Sequence, residues 1–319
     1  MTPRISVALC THNGGRFIEQ QLRSILAQSR RPDEVILSDD ASSDDTVAIA
    51  RAVLEAGGVA FRVLENAPAL GVTANFEQAV LATSGELIAL SDQDDVWMPD
   101  RLATMAREFD RPGLLLLFTD ATLVDESGVP LPHSLFDSLE LRPATLAAIR
   151  SGDAFGTLLR RNVVTGATVL FRRELLDTAV PFERGWLHDE WLAILAAARE
   201  GIDWNAGRLI DYRQHGSNQV GVAKPTLGYK ITQVLAPRGR RTEGLAARSL
   251  ALAQRLRDHG LAGAELAEEK HRLEAARAAL PAGRLARVLP ILRAARGGAY
   301  GRYASRGPAD MLRDLLQGA

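Results

Sequence analysis

Leu87-Ile88-Ala89-Leu90-Ser91-Asp92-Gln93-Asp94-Asp95-Val96-Trp97 is the stretch on which the reading of this chain turns. Its first four residues form an apolar run of the length of a buried strand. Three carboxylates follow within four residues, at Asp92, Asp94 and Asp95. Like charges repel, and burying them is costly unless a cation or hydrogen-bond donors compensate. A divalent metal is the simplest compensation. Oxygen ligands favour the hard ions Mg2+ or Mn2+, which bridge protein carboxylates and substrate phosphates. The competing account is a solvated acidic turn that starts a helix, which Pro99 favours.

Two further polar clusters occupy equivalent places. The apolar run 5–9 leads into Thr11-His12-Asn13-Gly14-Gly15, and the run 34–38 leads into Asp39-Asp40-Ala41-Ser42-Ser43-Asp44. Between them, residues 15–28 carry Phe17, Leu22, Ile25 and Leu26 at helical spacing. Asp44, Asp45 and Thr46 can start and cap a helix through about Leu54. Strands are predicted at 61–64, 86–90 and 114–118, and a helix at 73–83. This alternation predicts an α/β fold with a mostly parallel central sheet flanked by helices on both faces. Ligands bind such sheets beyond the carboxyl ends of the strands, so all three clusters can line one crevice.

The middle of the chain is less regular. Residues 166–171 read as a strand, 181–187 as a loop and 189–200 as a helix opened by His188-Asp189-Glu190-Trp191. Tyr212-Arg213-Gln214-His215-Gly216-Ser217-Asn218 reads as a polar loop. Helical patterns then recur near 226–235, 243–258, 262–279, 284–296 and 309–317, separated by Gly and Pro. The expected organisation is a domain over 1–222 and a basic helical C-terminal extension over 223–319.

Composition is that expected of a soluble globular protein: 319 residues, 46% hydrophobic and 24% charged. No apolar stretch approaches a membrane span, and Met1-Thr2-Pro3-Arg4 runs straight into a strand without a secretory signal. Cys10 is the lone cysteine, so no internal disulfide is possible, and a cytoplasmic location is expected. The net charge of −1 conceals an asymmetry. Residues 238–319 hold 16 Lys and Arg against 8 Asp and Glu, which leaves −9 for the rest. Within 284–303 an apolar stripe lies between arginines and includes Tyr300 and Tyr303. Such a segment reads either as an interfacial helix on an anionic membrane, at its inner face, or as an appendage packed on the protein or a second subunit. Pro290 argues against one long continuous helix there. Nucleic acid is excluded by the acidic first part and the lack of a recognition motif.

The order of the motifs resembles a known family. Thr-His-Asn-Gly after the first strand is followed by Asp-Asp-Ala-Ser-Ser-Asp-Asp-Thr, then Leu70-Gly71-Val72-Thr73-Ala74-Asn75-Phe76-Glu77-Gln78-Ala79, then Ser-Asp-Gln-Asp-Asp-Val-Trp. Over roughly residues 4–220 this is similar to inverting family 2 glycosyltransferases of the GT-A fold. The later His-Asp-Glu-Trp and Tyr-Arg-Gln-His-Gly-Ser-Asn resemble their bacterial rhamnosyltransferase-like branch.

The resemblance implies transfer of a sugar from a nucleotide diphosphate to an acceptor hydroxyl of a cell-surface glycan or its lipid-linked precursor. It implies that Thr11, His12 and Asn13 lie beside the base, with Asp39 or Asp40 on its edge. Asp92 would approach the ribose or a Mg2+ or Mn2+ ion, and Asp94 would be the principal metal ligand. Asp189 would be the general base, with Glu190 as the alternate. His215 reads as a further metal ligand or as a loop hydrogen-bonder, and Arg213 as a diphosphate contact or a surface ion pair. Trp97 and Trp191 would flank the acceptor or belong to the core, and His188 would touch the acceptor or cap its helix. The favoured donor is dTDP-L-rhamnose; a UDP-hexose or UDP-N-acetylhexosamine is the alternative. A non-catalytic nucleotide-sugar binder is a third reading. A nicotinamide-binding enzyme is not supported, because no Gly-x-Gly-x-x-Gly follows the first strand.

Overall fold

The protein is described by a computed structural model over residues 2–215 and 241–317. Gly216-Ser217-Asn218 and the expected helix near 226–235 lie outside the described residues. The described residues divide into two compact units. One runs to Ser151 and resumes at Val163; the other comprises Gly152–Asn162 and the residues from Arg241 onward. A single cut after residue 222 was expected, whereas the segment 152–162 groups with the C-terminal helices.

The first unit begins with a strict alternation: β1 (Ile5–Thr11), α1 (Ile18–Leu26), β2 (Glu34–Asp39), α2 (Thr46–Gly57), β3 (Ala60–Glu65), α3 (Val72–Ala82) and β4 (Leu87–Ser91). It continues with β5 (Val96–Trp97), α4 (Arg101–Glu108), β6 (Leu116–Val124), β7 (Pro130–Ser134), α5 (Leu135–Ser138) and α6 (Pro143–Arg150). After α7 (Ala154–Arg160), which belongs to the second unit, come β8 (Leu170–Arg172), α8 (Leu176–Ala179), α9 (His188–Ala198) and β9 (Ile202–Arg213). The strand order is β3-β2-β1-β4-β8-β6-β9-β5, with β7 paired to β6.

The sheet is parallel from β3 to β4, as the alternation predicts. Beyond β4 it is mixed, since β8 runs antiparallel to both β4 and β6, and β5 antiparallel to β9. The parallel reading therefore holds for half the sheet. Fully buried strands carry no alternation from which direction could be read.

Two layers of helices cover the parallel half. Ile5, Val7 and Leu9 of β1 share one core with Ile18, Leu22 and Ile25 of α1, Ala50 and Leu54 of α2, and Leu102 and Met105 of α4. Spacings of three and four residues make those helix faces. The alternate residues of β1 point to the other face, where α3 packs across β1 and β2. Truncating a fully buried leucine such as Leu22 would cost about 2–5 kcal/mol.

Two local expectations are corrected. Gly166–Thr168 is a 3-10 turn before β8 and not part of a strand, closed by Thr168 N–H donating to the Thr165 carbonyl at 2.9 Å. Tyr212 and Arg213 end a long strand instead of opening a loop, paired with Leu123 and Val124 of β6.

The second unit is helical. After α7 come α10 (Arg241–Asp258), α11 (Ala264–Ala278), α12 (Arg284–Arg296), α13 (Ala299–Tyr303) and α14 (Pro308–Leu316). α12 runs through Pro290 and ends at Arg296 before α13, so residues 284–303 do not form one long continuous helix, as expected. Pro290 is exposed, so its ring is accommodated at the surface. Several arginines of this basic segment point inward. Arg277 donates to both carboxylate oxygens of Asp314, at 2.7 and 3.0 Å, and to Glu274 at 3.0 Å. Tyr300 donates to the same Asp314 at 2.7 Å. Tyr300 and Tyr303 are buried, so neither belongs to an exposed stripe. No helix among the described residues is long and apolar enough to cross a membrane.

Candidate active site

The register of the parallel strands assembles the site. Thr11 pairs with Asp39, Asp39 with Glu65, and Leu9 with Ser91. The loops that follow β1, β2, β3 and β4 therefore leave the sheet at one edge, within a residue or two of each other.

The first two loops are cross-tied. Asp39 accepts from Thr11 Oγ1 at 2.7 Å, from the Ser42 amide at 2.8 Å and from Ser42 Oγ at 2.5 Å. Asp40 accepts from the amides of Leu70 and Gly71 at 2.6 and 2.9 Å, which anchors the loop after β3. Gly71 adopts a φ of 83° there, a conformation a Cβ would strain. His12 Nδ1 lies 2.7 Å from the Asp40 carbonyl oxygen, and Asn13 Oδ1 accepts from the Ser43 amide at 2.8 Å. His12 and Asn13 remain exposed. Both acids of the Asp39-Asp40 pair thus hold loops together, and the exposed edge is built by His12 and Asn13.

The acidic loop after β4 is fastened to the first loop by Gln93. Its Oε1 accepts from the His12 amide at 2.8 Å and its Nε2 donates to the His12 carbonyl at 3.0 Å. No role was read for Gln93 in the sequence, although it lies inside the opening motif. A Cβ on Gly14 would stand 2.2 Å from Gln93 Oε1, a close approach that only the tertiary structure reveals.

The acids converge. Burial, aided by Asp94 and then Asp189, raises the Asp92 carboxyl to about 7. Burial, aided by Asp94 and Asp92, holds Asp95 well above the carboxylate range. The Tyr212 phenol, at the end of β9, is pushed up by burial and then by all four of these carboxylates. One tyrosine thus senses acids from positions 92 to 189, which places both segments at one point.

His215 Nε2 lies 2.6 Å from Asp94 Oδ2, across 121 residues of sequence. Phe17 stacks on the His215 ring with centroids 5.2 Å apart. The helical spacing assigned Phe17 to a core face, and only the tertiary structure brings it to this imidazole. Asp94 and His215 supply an oxygen and a nitrogen to one spot. No group of three His, Cys, Asp or Glu suited to a metal occurs among the described residues. The pair is therefore not a closed cage. A divalent cation held there would need its remaining ligands from substrate phosphates and water. Like-charge crowding at Asp92, Asp94 and Asp189 favours a cation there.

Arg213 is 4% exposed. It donates from Nε to the Asp94 carbonyl at 2.8 Å, from Nη1 to the Glu126 carbonyl at 3.0 Å and from Nη2 to Gln20 Oε1 at 3.0 Å. Its amide donates to Asp95 Oδ1 at 3.1 Å. The fork expected at a diphosphate, or in a surface ion pair, instead clamps the acidic loop from within.

Asp189 sits in the first turn of α9. Oδ2 accepts from the Gly166 amide at 2.9 Å and Oδ1 from the Glu190 amide at 2.7 Å. Helix-start chemistry and site geometry are thus served by one side chain, and the two amides fix the carboxylate's orientation. Glu190 is partly exposed beside it. His188 is buried and stacks on Phe76 with centroids 3.7 Å apart. Burial lowers its imidazole to about 3. It neither caps the helix through a side-chain bond nor stands open to an acceptor.

The two tryptophans are core residues. Trp191 is 0% exposed, and its indole donates to the Ala179 carbonyl at 2.8 Å. Trp97 is buried with the Arg101 guanidinium 3.8 Å above its ring. The acceptor-side reading of both is therefore corrected. An indole sealed on both faces presents no platform for a sugar.

Comparison with known proteins agrees with this architecture. The glycosyl transferase family 2 model matches residues 6–178, more than half of the chain, and the protein belongs to that family. An uncharacterized protein of Mycobacterium tuberculosis is 39% identical over 116 residues, which cover 36% of this chain and 35% of that protein. The chain thus spans about a third of that relative's length. The dTDP-rhamnosyl transferase RfbG of Shigella flexneri is 24% identical over 220 residues, 67% of this chain and 73% of its own. Among solved structures, the mannosyltransferase PcManGT of Pyrobaculum calidifontis, in complex with GDP-Man and Mn2+, superposes with a TM-score of 0.53 at 21% identity. That match covers 99% of this chain and 86% of the other, and it shows the GT-A fold.

Proposed function

We propose that this protein transfers a sugar from a nucleotide diphosphate to an acceptor hydroxyl with inversion at the anomeric carbon. The observation that carries the reading is the convergence of Asp92, Asp94 and Asp189, with His215 on Asp94, at the carboxyl edge of the parallel strands. His12 and Asn13 line the exposed rim where the base would lie, on a frame held by Thr11, Asp39 and Asp40. Asp94 and His215 would hold Mg2+ or Mn2+ together with the donor's diphosphate, with Asp92 close by. The ion, when bound, offsets the negative charge that grows on the leaving nucleotide diphosphate.

The chain's own residues do the rest. Asp189, oriented by the Gly166 and Glu190 amides, takes the acceptor hydroxyl proton onto its carboxylate as that oxygen attacks. Attack from the face opposite the departing phosphate inverts the centre in one displacement. Glu190, partly exposed on the same turn, is suited to contact the acceptor. Arg213 acts as a positioning residue, because its donors hold the Asp94 and Glu126 backbone.

For the donor we propose dTDP-L-rhamnose. The likeness to RfbG supports it, as does the His-Asp-Glu-Trp and Tyr-Arg-Gln-His pattern. The acceptor proposed is a cell-surface glycan or its lipid-linked precursor. The test is calorimetry with dTDP-L-rhamnose, UDP-glucose, UDP-galactose, UDP-N-acetylglucosamine and GDP-mannose, each with Mn2+ and with EDTA. Selective binding of dTDP-L-rhamnose that EDTA abolishes is the expected result. A UDP-sugar preference would discard rhamnose and keep the mechanism. Binding unaffected by EDTA would remove the metal site. Asp189→Asn should retain donor binding by calorimetry and lower transfer, measured as nucleotide diphosphate release with acceptor, by about 10²–10⁴-fold. Unchanged transfer by that variant rejects Asp189 as the base.

A further inference from the structure

The second unit carries a surface that the transfer reaction does not use. α12 turns three leucines outward: Leu285 is 90% exposed, Leu289 65% and Leu292 45%. At about 100° per residue these positions fall within roughly 60° of arc, so they form one stripe. The opposite side of α12 is its anchor. Ile291 is buried, and Arg287 is fully buried, donating to the carbonyls of Pro281, Ala282, Asp314 and Gln317. The orientation of the helix is thus settled by its buried face, and the leucines are outward as a consequence.

Cations border the stripe. Arg284 and Arg293 lie roughly 80–100° to either side of it, and Arg296 ends it one turn after Leu292. All three are exposed, and no ion pair or hydrogen bond joins them to another described residue. Residues 284–303 contain no Asp or Glu. An apolar stripe with an arginine rim and no acid is complementary to an anionic lipid surface. The leucines enter the acyl boundary while the long arginine side chains reach the headgroups. A second copy of the chain is a poorer occupant, because a symmetric contact through this stripe would bring two arginine rims together. Nucleic acid would satisfy the arginines and leave the leucines in water.

We propose that α12 is an interfacial helix that docks the protein on an anionic membrane surface through Leu285, Leu289 and Leu292. The docking is independent of the identity of the donor sugar.

The experiment is sedimentation of the full chain with vesicles of phosphatidylcholine alone and of phosphatidylcholine with about 30% phosphatidylglycerol. Binding to the anionic vesicles should be at least about tenfold tighter and should weaken at about 0.5 M NaCl, where headgroup charge is screened. The variant Leu285→Gln/Leu289→Gln/Leu292→Gln should bind at least about tenfold more weakly, with an unchanged circular dichroism spectrum and melting temperature. Arg284→Gln/Arg293→Gln/Arg296→Gln should lose the preference for anionic vesicles. In Leu289→Trp the new indole should shift to the blue on binding and be quenched by brominated lipid. Equal binding by the leucine variant overturns the proposal, as does an unshifted indole or failure of the full chain to bind anionic vesicles. A leucine-dependent dimer in sedimentation velocity without vesicle binding would assign the stripe to a second copy instead.

Discussion

At Gly14 the space beyond Cα is already filled by the Gln93 side chain, 2.2 Å from where a Cβ would be. Gln93 cannot step aside freely, because its amide makes both hydrogen bonds to the His12 backbone. Gly14→Ala should therefore break that pair, destabilise the protein by about 1–3 kcal/mol and weaken donor binding. The check is a double-mutant cycle by urea unfolding. Because Gln93→Ala removes the obstruction, Gly14→Ala should add little on that background, and full additivity would refute the clash. At this scale much of the site was readable. Asp92, Asp94 and Asp95 stand out as three acids at a strand end, whereas Asp189 by itself reads as a helix-start acid and takes its role from the family resemblance. Gln93, Phe17 and Tyr212 were not readable as site residues. An amide, a ring and a phenol look the same in sequence whether they pack in a core or tie a loop.

Among the elements, β9 contributes most that the sequence did not announce. Its last residues were read as loop because they are polar, yet they complete a ladder with β6 and place Arg213 under the acidic loop. Arg213→Met should keep the length of the side chain and lose its donors. Donor affinity in the presence of Mn2+ should fall at least about tenfold, and stability by about 1–3 kcal/mol, because the part-buried carbonyls of Asp94 and Glu126 lose their donor. Arg213→Lys should not restore affinity, since an ammonium cannot span the Asp94, Glu126 and Gln20 acceptors as a planar fork does. Calorimetry with both variants decides this: rescue by lysine would mean that charge alone matters. Helices were the best-read elements. Their apolar faces recur at three and four residues, and in the C-terminal unit the expected helices at 243–258, 262–279, 284–296 and 309–317 all have observed counterparts.

For the whole molecule, the buried ionisable groups make stability depend on pH. His188 titrates at about 3 when folded against about 6.5 when unfolded, so between those values the unfolded chain binds the extra proton. Its contribution is complete above pH 6.5 and is lost as pH falls toward 3. Asp92 acts in the opposite sense. Raised to about 7, it holds a proton in the folded state that the unfolded state releases, which favours folding as pH falls from 7 toward 4. The two effects partly cancel in the native protein and separate in a variant. Between pH 7 and pH 4.5, His188→Leu should lose about 2–3 kcal/mol less stability than the native chain, measured by urea unfolding with EDTA present. Identical pH profiles would mean that the imidazole is not buried neutral.

The amino-acid sequence by itself determined the local framework: strands ended by acid clusters, helices marked by their apolar period, and a family pattern running from Thr11 to His215. These are properties of neighbours along the chain, where spacing and charge act directly. The tertiary structure alone decided which partners meet: His215 on Asp94, Gln93 on His12, Arg213 beneath the acidic loop, and Trp97 and Trp191 inside the core. It also decided that Arg277 and Arg287 turn inward while Leu285, Leu289 and Leu292 face out. Strand order, mixed strand direction and the inward or outward sense of a helix arise from packing between segments far apart in sequence. No local pattern records those contacts, because each residue's own chemistry is compatible with either side.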